Sequence, residues 1–386
     1  MNNNRPVQSR IRIRLEGPLP SVDGHPGWVR QSVSQYALLT GVSIGMHGFI
    51  AGAGLILNGA RSAAWWITAL GFLGGLLIWT PVWGVTRGEK AISLDEALAE
   101  AFGKTGAAVI MLAYSGVVLF NASIVLYTIG SFVRQYLIVG ASGAIVSLAV
   151  LAIMIFSVYR YGGQGLSRLV WLFRWLLLFS IAFSCAVAVK YTYFENLFPV
   201  LGNDTISTAL TLPFAMSGYA PILTLGTLPL QTGSAKPVRF LTGLKAMGIG
   251  CFISTFLMLF INLSMPPMAV EADIVLGYNL VLSVEYMRSH VIRLFYLLAL
   301  STMLFLSGGN GASAGVSILS LILNQKNKWM PAAIIFAVLS LILLLLSSSD
   351  FADAFVRLMV WRLPIASVPV WTAWGVLAVK RRRPKG

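Results

Sequence analysis

Ser217-Gly218-Tyr219-Ala220-Pro221 stands in the middle of one membrane-length apolar segment, and Gly45-Met46-His47-Gly48, followed by Gly52 and Gly54, stands in another. In hydrocarbon an unpaired backbone N–H or C=O is costly, so irregular backbone at membrane depth survives only where it lines a cavity or is buried in protein. A pair of interrupted spans at matching places in two halves of a chain points to a transporter-type binding site. These two lie about five spans apart, where an inverted repeat of five plus five puts its first helices.

The composition sets the class. The chain has 386 residues, 57% of them hydrophobic and only 11% charged, with a mean hydropathy of +0.80. Soluble domains carry roughly 25% charged residues. The expectation is an all-α integral membrane protein. A net charge of +15 can signal anionic partners such as nucleic acid, but in this composition it reads as basic cytoplasmic loops. Cys185 and Cys251 fall in apolar segments, and neither they nor His25, His47 and His290 have metal-ligand spacing. No metal and no cofactor is expected. The chain has no P-loop, no GxSxG and no metal triad, so neither an enzyme nor an ATP-driven pump is expected. No selectivity-filter sequence and no Arg-rich voltage-sensor repeat is present, and no secretory signal is evident.

Ten transmembrane helices are expected, at 35–57, 63–83, 105–127, 141–158, 165–189, 206–228, 240–263, 290–323, 331–347 and 359–379. Residues 86–104, with Asp95, Glu96 and Glu100, read as a short amphipathic surface helix. The eighth span is too long for one straight crossing, at about 50 Å of helix against a core of about 30 Å. Ser307-Gly308-Gly309-Asn310-Gly311 at its middle predicts a strong tilt or a kink. The domain reading is a basic cytoplasmic tail over 1–33 and one bundle over 34–381, with repeats at about 34–189 and 196–381. A basic cytoplasmic end follows at 382–386. With both termini inside, every inner loop is basic. External segments keep only Arg61, Arg134, Lys190, Arg288, Arg293, Arg357 and Arg362, with several of these expected to be partly buried.

Candidate site residues follow from the breaks. Glycine lets backbone approach a ligand closely, and a half-helix N-terminus favours an anionic group. Gly45, Gly48 and Gly218 are candidates on that ground, with His47 as the ionisable side chain of the first span. The alternative is that the glycines form a helix-packing face and His47 is a satisfied core residue. Ser217 and Tyr219 lie between Pro213 and Pro221, each of which removes a backbone donor. Tyr219 could close over a ligand, and a simple proline kink is the alternative. Asn121 and Ser123, and Asn310 and Ser313, are polar at bilayer depth. Interhelical hydrogen bonding is their first expectation and ligand contact the second. Arg174 reads as snorkelling to headgroups, and Asp350 and Asp353 as a solvated loop.

The run Asn196-Leu197-Phe198-Pro199-Val200-Leu201-Gly202-Asn203, followed by Ser217-Gly218-Tyr219, resembles the spore germination permease family, the GerAB-type B subunits of nutrient germinant receptors. Looser agreements are Gln35, Trp65-Trp66, Gly103, Tyr161-Gly162 and Arg168. The resemblance covers about 34–381. It implies a LeuT-like inverted repeat of the amino acid–polyamine–organocation superfamily, with broken helices 1 and 6. It further implies a receptor subunit in the spore inner membrane, binding a small nutrient such as an amino acid beside an A-type subunit and a lipoprotein C-type subunit. Ala220-Pro221 departs from the acidic residue common after the Ser-Gly-aromatic triplet. A stand-alone secondary amino acid or amine transporter is the alternative from another class, and a purely structural membrane subunit a third.

Overall fold

A computed structural model describes residues 33–50, 53–87, 93–136, 142–189, 192–202, 204–228, 238–264, 290–325 and 327–382. The expected tail over 1–32, Gly52, most of the loop after Ser264, and the basic end from 383 lie outside the described residues.

Among the described residues every regular element is helical. In chain order they are α1 (Val33–Ile50), α2 (Ala53–Ala60), α3 (Ala64–Leu70), α4 (Phe72–Thr86), α5 (Leu94–Tyr136), α6 (Gly143–Ala188) and α7 (Thr205–Ser217). Then come α8 (Leu223–Gly226), α9 (Phe240–Ser264), α10 (His290–Ile322), α11 (Trp329–Leu345), α12 (Ser349–Arg357) and α13 (Arg362–Arg382). Among the described residues seven helical stretches are long and apolar enough to cross a membrane, and α11 is a shorter apolar helix. Helices of this length with wholly apolar faces bury them in lipid or in each other. The chain is thus an all-α protein compatible with an integral membrane location.

Two long helices contain glycine corners. Gly103 in α5 (φ 78°) and Gly162 in α6 (φ 60°) are in non-helical conformations with positive φ, a region that L side chains enter at a cost. Gly103 divides the amphipathic stretch from the apolar remainder of α5, and Gly162 divides α6 into two limbs. At the start of the amphipathic stretch the Ser93 N–H donates to Glu96 Oε2 at 3.2 Å, the glutamate half of a capping box.

Helix α10 is the most buried of the long helices and packs against α5, α6 and α1. At its glycine run, where a strong tilt or a kink is expected, α10 is one continuous helix from His290 to Ile322. The glycines serve close packing. A Cβ at Gly308 would stand 2.9 Å from Met154 Cε, one at Gly309 2.8 Å from Leu166 Cδ1, and one at Gly311 2.6 Å from the Val118 carbonyl oxygen.

The part of the Asn196–Asn203 run from Asn196 to Gly202 is a brace. Ser62 Oγ donates to Pro199 O at 2.6 Å and Trp66 Nε1 to Val200 O at 2.8 Å. Asn196 Nδ2 donates to Leu263 O at 3.1 Å. Asn262 Nδ2 donates to the carbonyls of Arg61 and Ser62, both at 3.0 Å. The run therefore ties the α2–α3 turn to the end of α9. Gly202 takes φ 77° and lies so close to Ala60 that a Cβ would stand 2.8 Å from its carbonyl oxygen.

Candidate functional site

The two glycine stretches meet. A Cβ on Gly218 would stand 3.1 Å from Gly48 Cα and 3.4 Å from Gly48 N, so α1 and the end of α7 touch backbone to backbone. The first stretch corrects an expectation. Gly45-Met46-His47-Gly48 is helical within α1 and not unwound. A Cβ at Gly41 would stand 2.8 Å from Ile249 Cβ, and one at Gly45 2.7 Å from Ile253 Cβ. One at Gly48 would stand 3.0 Å from Ser254 Cβ, and one at Gly250 of α9 2.5 Å from Ile44 Cγ2. These small residues let α1 and α9 interlock, and the helical hydrogen bonds satisfy the backbone that unwinding would have exposed.

The second stretch is a true interruption, of a tight kind. Helix α7 stops at Ser217, a 3₁₀ turn runs over Ala220–Ile222, and α8 follows. Pro221, near the start of that turn, has no N–H to place. Gly218 and Tyr219 keep right-handed dihedrals, so the chain narrows to 3₁₀ winding and does not open into an extended loop.

Around this contact lies a set of buried polar groups. His47 Nδ1 is 2.6 Å from Ser43 O and 3.2 Å from Ser307 Oγ. A carbonyl only accepts, so Nδ1 carries the proton and Nε2 faces inward beside the Asn121 main chain without a well-formed hydrogen bond. Asn310 Nδ2 donates to Ser43 Oγ at 3.0 Å and to Thr224 Oγ1 at 3.1 Å, joining α10 to α1 and α8. Thr40 Oγ1 is 3.1 Å from Thr224 Oγ1. The Asn310 Oδ1 atom and the Asn121 Nδ2 atom are buried without a partner.

Arg362, the first residue of α13, enters the same region. It is 2% exposed. Its Nη1 donates to Asn121 Oδ1, its Nη2 to Ser217 Oγ at 3.3 Å, and its Nε to Met359 O at 3.1 Å. Its guanidinium lies 5.3 Å from the Phe120 ring centroid, within range for a cation–π contact. Arg362, expected among external-segment cations of which several are partly buried, is fully enclosed. The 3₁₀ turn Leu358–Trp361 between α12 and α13 carries it into the bundle, where three neutral acceptors replace its water. One signal was present: Arg362 lies inside the apolar stretch 359–379, not before it.

Tyr219 points to the other side of the contact. Its ring meets Phe72 edge-to-face at 6.3 Å, and its hydroxyl lies beside Cys251 and Ser254 without a well-formed hydrogen bond.

The candidates thus separate into three groups. Gly48, Gly218 and Ser217 sit at the contact, with His47, Asn121 and Asn310 around it, all buried. Gly45 belongs to the α1–α9 interlock, and Tyr219 to the α4–α9 side. Asn121 and Asn310 both make interhelical side-chain bonds, their first expectation. Ser123 turns back to Phe120 O in its own helix at 2.8 Å. Arg174 stacks over Trp171 at 3.8 Å. Besides Arg362, sequence reasoning missed Thr40, Ser43, Thr224 and Ser307, because hydroxyls are common in apolar helices as bonds to the previous turn. No protein-family profile matches the chain, and no curated protein matches it.

Proposed function

We propose that this chain is the membrane subunit of a nutrient germinant receptor in a bacterial spore inner membrane, with both termini cytoplasmic. It binds a small nutrient, such as an amino acid, beside the Gly48–Gly218 contact. The observation that carries the reading is this backbone contact between two distant segments, ringed by buried polar atoms of His47, Asn121 and Asn310 that lack partners. Buried orphans of this kind are costly, and a polar ligand gives them partners. The same reading gives the chain ten crossings in a LeuT-like inverted repeat. Taking α6 as two crossings at Gly162 and adding α1 and α11 to the seven long stretches gives that number. The interruption after Ser217 then opens the second half.

In this reading the nutrient shifts an equilibrium between two arrangements of α1 and α7–α8 against α5 and α10. A-type and lipoprotein C-type subunits read the shift. The test is Gly218→Leu or Gly48→Leu, with membrane abundance measured in parallel. Loss of the nutrient response at unchanged abundance is expected; a normal response sinks the site. Substrate flux into liposomes carrying this chain alone would make it a stand-alone transporter instead.

A further inference from the structure

A buried guanidinium normally faces a carboxylate, because an uncompensated charge in a low-dielectric interior costs several kcal/mol. Arg362 has three neutral partners, and none of the carboxylates whose side chains are described is among them. Its contact to Ser217 Oγ is long, at 3.3 Å. The neighbouring Asn121 presents a buried Nδ2 donor with nothing to accept its hydrogens, while its Oδ1 is already held by the guanidinium. Arg362 and Asn121, held together by one hydrogen bond, therefore offer N–H donors and one positive charge, and Ser217, which Arg362 also contacts, adjoins Gly218.

We propose that Arg362 and Asn121 bind the carboxylate of a small organic acid of net negative charge, such as a 2-hydroxy acid, in preference to the zwitterionic amino acid of the same skeleton. The inference rests on the ligand-site reading above and narrows it. A carboxylate accepts from Arg362 Nη2 and Asn121 Nδ2 and cancels the buried charge. The long Ser217 bond is the one it displaces. That displacement unties Arg362 from the last residue of α7, whose hydroxyl keeps its own bond to Phe214 O at 2.8 Å, so occupancy is felt where the helix is interrupted. An amino acid brings an ammonium as well. The unpaired acceptors around the site, such as Asn310 Oδ1, are neutral, so the second charge goes uncompensated.

The test uses the full-length chain in lipid nanodiscs. Melting temperature is followed against matched series: propionate, L-lactate, L-alanine and ethylamine, and the same four functional classes on the valine skeleton. The acids without an ammonium should raise the melting temperature, with apparent affinity at least about tenfold above the matching amino acid. The amines should do nothing. Arg362→Gln should weaken the acids by on the order of 30-fold or more. Asn121→Asp sets an internal carboxylate against the guanidinium, so it should fold, melt higher than the parent and lose the response to acids. Equal shifts by alanine and lactate, no response of the parent to any acid, or an undiminished response in Asn121→Asp overturns the inference. So does Asp353→Asn lowering the melting temperature as far as Arg362→Gln, since Asp353 would then be the counterion. None of these results touches the site reading, which stands or falls on the nutrient response of Gly218→Leu.

Discussion

Gly218 and Gly48 share a contact that leaves no room for a methyl group. A Cβ on Gly218 would stand 3.1 Å from Gly48 Cα and 3.1 Å from the Ala215 carbonyl oxygen. Both obstacles are backbone, which cannot rotate aside as a side chain does. Gly218→Ala should therefore destabilise by about 1–3 kcal/mol, the usual range for overpacking. Gly48→Ala meets only the Ser254 side chain, at 3.0 Å from its Cβ, and should cost less. Thermal unfolding of the two variants in detergent checks the order. Equal costs would mean that the two segments do not meet.

Asn310 joins three segments through Ser43 and Thr224. Each hydroxyl also donates to its own helix, Ser43 to Leu39 O and Thr224 to Pro221 O, so neither is orphaned when Asn310 is truncated. Asn310→Ala should cost about 1–2 kcal/mol. A double-mutant cycle with Thr224→Val should give a coupling of about 0.6 kcal/mol, as such pairs do in membranes. Strict additivity would place the two side chains out of contact.

Gly162 and Gly116 make an opposed pair. Neither would bring a Cβ within 4 Å of another atom, but Gly162 has φ 60° while Gly116 is an ordinary helical residue of α5. Gly162→Ala should destabilise by about 1–2 kcal/mol through backbone strain alone. Gly116→Ala should stabilise by about 0.5–1 kcal/mol. Melting temperatures moving in opposite directions confirm the corner in α6, and movement in the same direction refutes it.

Asp204 caps α7 from outside the apolar segments. Its carboxylate accepts from Ser207 Oγ at 2.5 Å, Ser207 N at 3.0 Å and Ile206 N at 3.1 Å. The Ser207 hydroxyl first, then the two backbone N–H groups, hold its pKa below the ordinary carboxylate value. Because the folded value is the lower one, the cap's contribution is full above the ordinary Asp pKa of about 3.9 and is lost as pH falls through the folded value. Asp204→Ala should lower the melting temperature at neutral pH, and the difference from the parent should shrink in acid. A difference that grows in acid would contradict the cap.

Some of this was legible in the residues. Pro213 and Pro221 bracket the interruption after Ser217, because proline's missing N–H acts locally whatever surrounds it. Gly103 and Gly162 read only as loose markers, since a glycine's need for positive φ shows itself in the backbone. The stretch Gly45-Met46-His47-Gly48 reads as a break or a helix-packing face, and the structure makes Gly45 and Gly48, with Gly41, an interlock with α9. Unwound chain and close-packed helix both require a missing side chain, so the sequence alone supports either.

Composition and hydropathy determined that this chain is helical, apolar and membrane-compatible, because every span must satisfy its own backbone in hydrocarbon. The interruption after Ser217 was likewise local and readable. Only the tertiary structure decided which residues face each other there. It set Gly48 against Gly218, and it brought Arg362 from 241 residues away in sequence onto Asn121. A side chain's charge is written in the sequence, but whether water, lipid or another helix surrounds that charge is fixed by how the helices pack.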